Sequence, residues 1–308
     1  MNAPILLEAA VTVYLDNLTT VRQLSMHTIN NYRRDLQAFI NFCHKRNIEH
    51  CQTITPQHVR HFIAERHSKQ IAGKTLQRNL SSLRGLFAFF IKEEQLEQNP
   101  ANHINAPKTE RRLPHVLDVD QTFKLIDIDD TDLFGIRDKA ILELFYSSGL
   151  RLSELVSLDI HDFNKQDRTI TALGKNNKER VVLVGSHAIK ALERWLNTRH
   201  ALLKQRETDA LFISKNGSRL KQRSIQQRLA QWGIKQGIDR PVHPHMLRHC
   251  FASHLLESSG DIRSVQELLG HADIATTQIY THLDFQHLSS VYDKAHPRAR
   301  NKTPEDTN

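Results

Sequence analysis

The side chains able to do chemistry cluster in five short segments of the C-terminal half. These are SGLRLSEL (148–155), GKNNKER (174–180), HPHMLRH (243–249), LLGHAD (268–273) and QIYTHL (278–283). Each has an ordinary reading. Arg151 with Glu154 three residues on is the spacing of a helix-surface ion pair. Lys175 and Lys178 in a turn between two β-rich runs read as solvent-exposed charge. His243, His245 and His249 offer imidazoles to a metal, but no carboxylate or cysteine set at a standard ligand spacing accompanies them. Tyr280 alone reads as half-buried packing. Arginine forks, a lysine, imidazoles and a phenol are also the donors, acids and nucleophile that anionic substrates require.

Taken together and in this order, the segments resemble the tyrosine recombinase (phage-integrase-like) family, and within it the Xer subgroup of site-specific recombinases. The matching positions are Arg151, Lys175, His245, Arg248, His271 and Tyr280. Glu154 resembles the family's acidic support residue. The stretch YTHLDFQHLSSVYDKAHPRAR after the motif tyrosine looks less like XerD than like the member paired with it. The hairpin departs from the family pattern, having Asn176 where a second glycine is more usual. Asparagine tolerates left-handed backbone, so the match at Lys175 stands, with Lys178 as the alternative.

The resemblance implies metal-free cleavage of a phosphodiester with no cofactor. Arg151 and Arg248 would hold the nonbridging oxygens with forks that stay charged. His245 and His271 would add hydrogen bonds, with His245 accepting the proton of the nucleophile. Tyr280 would attack phosphorus and form a 3′-phosphotyrosine, while Lys175 would protonate the departing 5′-oxygen. The implied partners are a double-stranded recombination site of dif type, XerD in a heterotetramer with two copies of each, and a division-associated DNA translocase such as FtsK as activator. The implied task is resolution of chromosome dimers. Rival readings are a phage or integron integrase, a type IB topoisomerase, and a DNA-binding protein without catalysis; the complete residue set argues against the last.

The elements that must position these groups are legible in outline. Residues 1–107 carry 12 Lys+Arg against 8 Asp+Glu and no strand-like alternation. They read as helices near 5–18, from Ser25 onward, from Thr55-Pro56 to about Ser68, and after Gly73. Ile29, Tyr32, Leu36, Phe39, Ile40 and Cys43 form one apolar face; Leu76, Leu80, Leu83, Phe87 and Phe90 form another. Arg34, Arg78 and Arg84 fall on the opposite faces and are candidate DNA contacts. The proline-bounded PKTERRLP (107–114) reads as a linker. The division is thus a helical SAM-like core-binding domain (1–107), a linker (108–115) and a mixed α/β catalytic domain (116–308).

In the second domain helices are expected at 119–125, 133–147, 153–155, 186–203, 224–236, 246–258 and 262–269, with a β-hairpin over 169–184. The fold class is therefore mainly α with a small antiparallel sheet. Between Asp209 and Asp239 six basic residues face no acidic ones, and Arg219, Arg223 and Arg228 are candidate DNA contacts. Phe285, Leu288, Val291 and Tyr292 form an apolar stripe after Tyr280. By resemblance it reads as a segment exchanged with a neighbouring protomer, before a disordered tail (302–308).

Composition agrees. The 308 residues carry 42 basic and 34 acidic side chains, a net charge of +8 that favours a nucleic-acid partner. No run of about 18 apolar residues supports a membrane span, and the N-terminus makes a poor signal peptide. Three cysteines without a CxxC fit a reducing cytoplasm.

Overall fold

The computed structural model describes residues 4–107, 116–174, 179–204, 206–269 and 290–299. The chain divides into two compact units, Met1–Arg112 and Leu113–Asn308. The fold is mainly α-helical with one three-stranded antiparallel sheet.

The first unit holds α1 (Leu7–Thr20), α2 (Met26–His44), α3 (Pro56–Ser68) and α4 (Gly73–Lys92). Local chemistry sets their starts. The Ser25 hydroxyl accepts from the Thr28 amide. Thr55 Oγ1 accepts from the His58 amide while His58 Nδ1 accepts from the Thr55 amide, and Pro56 fills the first helical position. The first helix starts two residues later than expected because Ile5 and Leu6 are drawn into backbone pairing with Cys51 and His50.

The apolar faces of α2 and α4 are buried as their periodicity requires. At the centre, the Phe62 ring meets Phe39 and Phe42 edge-on, with centroids 5.0 and 5.4 Å away. Each such burial contributes about 1.5–3 kcal/mol.

In the second unit, α5 (Val119–Ile126) precedes α6 (Leu133–Ser148), which is buried on nearly every side between α8 (Ser186–Arg199) and α10 (Pro244–Ser259). A short α7 (Leu152–Ser157) leads to the sheet, β1 (Phe163–Asn164), β2 (Thr169–Leu173) and β3 (Glu179–Leu183), in that order. The β2–β3 register runs from Thr169 opposite Leu183 to Leu173 opposite Glu179. The remaining helices are α9 (Gln222–Lys235) and α11 (Ile262–Leu269).

Two boundaries differ from expectation for visible reasons. The eighth helix ends at Arg199 and tightens into a 3₁₀ turn (His200–Leu202), because the Arg199 guanidinium turns back to the Thr208 and Ala210 carbonyls. The two-residue β1 was not expected at all; it exists through its pairing with Ile170 and Thr169.

The segment 290–299, the end of the stretch expected to exchange, packs on its own unit in this chain. Tyr292 is 1% exposed and clusters with Leu183, Phe251, Leu255, Val265, Ala295 and Ala299. Its hydroxyl donates to the Ser147 carbonyl (2.9 Å) and lies 3.0 Å from Ser147 Oγ, which accepts from the Gly185 amide. His296 Nε2 donates to the Tyr146 carbonyl, Arg298 pairs with the buried Glu143, and Arg168 reaches Asp293 and the Ala299 carbonyl. Position 185 has no room for a side chain: a Cβ there would lie 2.4 Å from the Arg298 carbonyl. Phe285, Leu288 and residues 302–308 lie outside the described residues.

Candidate active site

The site begins where α6 stops. Gly149 takes φ +57°, a left-handed conformation that favours glycine, and ends the helix. Two residues on, Arg151 stands at the N-cap of α7 in extended backbone. Glu154, at the third helical position, folds back on it. Its Oε2 accepts the Arg151 amide (2.8 Å) and its Oε1 accepts Arg151 Nη1 (2.7 Å). The R-x-x-E spacing thus works as a capping arrangement in which the carboxylate both caps the start of the helix and aims the guanidinium. Glu154 is 1% exposed while the Arg151 side chain keeps 39% of its surface.

Arg180 of β3 joins the same carboxylate. Its Nη2 donates to Glu154 Oε2 (2.8 Å) and its Nη1 to the Leu268 carbonyl at the end of α11 (3.0 Å). Burial alone would raise the Glu154 carboxyl, but the Arg180 and Arg151 guanidiniums outweigh it and hold the pKa below the usual carboxylate value.

Arg248 arrives from α10, with Nη1 on the Gly149 carbonyl. Burial first, then repulsion from Arg151 and Arg180, lowers its pKa to about 10, so it remains charged at neutral pH. His243 caps α10 by accepting the Met246 amide at Nδ1 (3.1 Å). Burial and the neighbouring His245 and His249 push its pKa down. His245 is exposed and lies three residues before Arg248, on the same helix face. Three guanidiniums to one carboxylate, with exposed imidazoles alongside, make a surface suited to a phosphate group that gains negative charge as it reacts.

The structure therefore brings Arg151, Glu154 and Arg248 together, and adds Arg180, which the sequence reading passed over. Lys175, Lys178, His271 and Tyr280 lie outside the described residues. Among the described residues, the group of three metal-capable atoms within 4.8 Å of one another belongs to Asp159, His161 and Asp162, not to the histidines of α10.

The expected DNA contacts separate into two sets. Arg34 and Arg223 are exposed on α2 and α9. Arg34 also donates to the Asn30 carbonyl and Asn31 Oδ1, and the other four are held by acceptors more distant in the chain. Arg78 makes a two-pronged pair with buried Asp35 (2.7 and 3.0 Å). Arg84 donates to the Ala101 and Ile104 carbonyls. Arg219 binds the Val156, Ser157 and Leu158 carbonyls and Asp159. Arg228 turns inward to Asp138, a buried carboxylate that also receives Arg137 and Trp232 Nε1.

Known proteins agree with this architecture. Residues 115–287 match the phage integrase family, and residues 11–94 match its N-terminal SAM-like domain. The chain belongs to the phage integrase family. Tyrosine recombinase XerC of Escherichia coli O157:H7 is 49% identical over 294 residues, covering 96% of this chain and 98% of that protein. The XerC of Shigella flexneri is 48% identical over the same length. Among solved structures, XerH site-specific recombinase bound to difH substrate, in a pre-cleavage complex, is 26% identical with a TM-score of 0.66. That match covers 91% of this chain and 83% of the other. A lambda integrase dimer bound to a COC′ core site shares the fold at 17% identity and TM-score 0.68, over 89% of this chain and 99% of the other. The family member described here is a site-specific tyrosine DNA recombinase. Among the described residues, no helix is long and apolar enough to cross a membrane.

Proposed function

We propose that this recombinase acts in the cytoplasm as the XerC-like half of a heterotetramer with XerD, resolving chromosome dimers at a dif-type site. A division-associated translocase of the FtsK kind would be its activator. The observation that carries the reading is the convergence of Arg151 and Arg248 beside buried Glu154, within a chain 49% identical to XerC over nearly its whole length.

In this mechanism Arg151 and Arg248 grip the nonbridging oxygens of the scissile phosphate and stabilise the charge that develops there. Tyr280 attacks phosphorus. The P–O bond to the 5′-oxygen breaks, and the 3′-phosphotyrosine keeps the bond energy for religation by a second strand's 5′-hydroxyl. Free tyrosine has a pKa of about 10, so the phenol needs nearby positive charge and an acceptor for its proton, the role assigned to His245. His271 donates to the same phosphate, and Lys175 protonates the leaving oxygen. The guanidiniums and the lysine supply the positive charge that a metal supplies in other phosphoryl-transfer enzymes. Residues 1–107 clamp the duplex with Arg34 among their contacts, the linker 108–115 spans to the catalytic domain, and Arg223 adds a phosphate contact.

The test is recombination between two dif-type sites on one plasmid, with this protein, XerD or both. Recombination only with both proteins is expected. Full activity with either one alone would overturn the partnership.

A further inference from the structure

Arg180 lies in none of the roles assigned above, yet it is bound on two sides. Strand alternation puts it on the inner face of the sheet: it stands opposite Ala172, and Val182, two residues on, stands opposite Ile170. Ala172, Ile170 and Val182 are all buried, whereas Val181 on the other face is 53% exposed. Arg180 is the point where this apolar face gives way to the active site, and its side chain is only 13% exposed.

Two of its donors are committed to groups on different elements, Glu154 Oε2 on α7 and the Leu268 carbonyl on α11. In sequence, those elements and its own strand adjoin four of the residues named above. Arg151 caps α7, Lys175 and Lys178 precede β3, and His271 follows Leu268 by three positions. We propose that Arg180 is the positioning residue of the site, a single fork that fixes the Arg151–Glu154 pair of α7 to β3 and to the end of α11. The proposal rests on the recombinase reading of those residues.

The chemistry favours arginine for this task. A planar guanidinium satisfies two acceptors in fixed directions, where an ammonium fixes neither. Its charge matters as well. The groups facing Glu154 are Arg151 from α7, Arg180 from β3 and Arg248 from α10. Because Arg180 shares the carboxylate, Arg151 is aimed without being neutralised one-to-one, and the phosphate meets an excess of positive charge. Loss of Arg180 leaves Glu154 with Arg151 and the charge of Arg248 only, and lets its carboxyl take up a proton at higher pH.

The experiment measures single-turnover cleavage of a nicked duplex carrying the dif-type site, with full-length protein and XerD, at saturating DNA and across pH. Arg180→Gln should cleave about a hundredfold more slowly, the scale set by misplacing a reacting group by about 1 Å. DNA affinity should change little, and the acidic limb of the pH–rate profile should move to higher pH. Arg180→Lys, which keeps the charge, should return that limb toward its original position while recovering only part of the rate. In a Glu154→Gln background, Arg180→Gln should add little further loss, because the shared acceptor is already altered.

Wild-type rate and pH profile in Arg180→Gln would overturn the proposal. So would parallel losses of thermal midpoint, affinity and rate with an unmoved pH profile, since that pattern belongs to ordinary structural damage. A Tyr280→Phe control separates the two layers: if it still forms the covalent adduct, the assignment of the site itself fails, whatever Arg180 does.

Discussion

Replacing Tyr292 with phenylalanine removes one oxygen from the contact that holds residues 290–299 to their own domain. The hydroxyl occupies the middle of a chain of hydrogen bonds. The Gly185 amide donates to Ser147 Oγ, which is 3.0 Å from the Tyr292 oxygen, and the Tyr292 hydroxyl donates to the Ser147 carbonyl. The ring remains, stacked on His296 with centroids 5.0 Å apart and planes 11° from parallel, so apolar burial is conserved. What is lost is a buried hydrogen-bonded group whose partners are left unsatisfied, about 1–3 kcal/mol. That corresponds to a drop of about 5- to 150-fold in the ratio of docked to undocked segment, at 1.4 kcal/mol per tenfold. Amide hydrogen exchange reads it directly. Protection across 290–299 should fall by that factor, while the amides of α2 and α4 in the other unit keep theirs. Ser147→Ala should produce a loss of similar size, and the double variant should lose less than the sum. Unchanged protection in Tyr292→Phe, or strict additivity with Ser147→Ala, would refute the idea that this hydroxyl chain docks the segment.

Arg151→Lys and Arg248→Lys retain charge but lose the fork; each should slow cleavage by about 10²–10³-fold, measured in a single turnover, with much smaller changes in DNA affinity by gel shift. Lys175→Ala should recover activity on a substrate whose departing 5′-oxygen is replaced by sulfur, which needs no general acid, while Lys178→Ala should have little defect to recover. Burial, with help from His254 and Arg298, holds His296 at about 3 against about 6.5 for a free imidazole. The unfolded chain therefore binds more protons between those values. This residue's contribution to stability is complete above pH 6.5 and is lost as pH falls toward 3. Thermal midpoints between pH 7.5 and 5 should decline less steeply in His296→Gln than in the parent chain.

What was legible in the sequence was what local chemistry decides. Ser25 and Thr55-Pro56 announce helix starts within three or four residues of the groups they bind, and the structure realises both. Apolar periodicity gave the inner faces of α2 and α4 for the same reason. What was not legible has a different cause. Arg228 falls three residues from Ile225 and looks like the edge of a solvated face, but its acceptor, Asp138, lies 90 positions away. Arg180 sits in a run of charges, KER, that reads as turn decoration; the two groups that bury it are 26 and 88 residues distant. The stripe containing Tyr292 shows that an apolar face must be covered but carries no mark of what covers it. Ser147, 145 positions earlier, supplies the answer only in the folded chain.

The central claim is that this chain cuts DNA by making a covalent bond through Tyr280, and the direct measurement is the adduct itself. Full-length protein and XerD are incubated with a nicked suicide duplex carrying the dif-type site, the denatured covalent complex is isolated, and the nucleotide-bearing tryptic peptide is sequenced by mass spectrometry. The account predicts a 3′-phosphotyrosyl nucleotide on Tyr280, and no adduct from this chain in Tyr280→Phe while DNA binding persists. An adduct mapped to another residue, or one that survives in Tyr280→Phe, would contradict it.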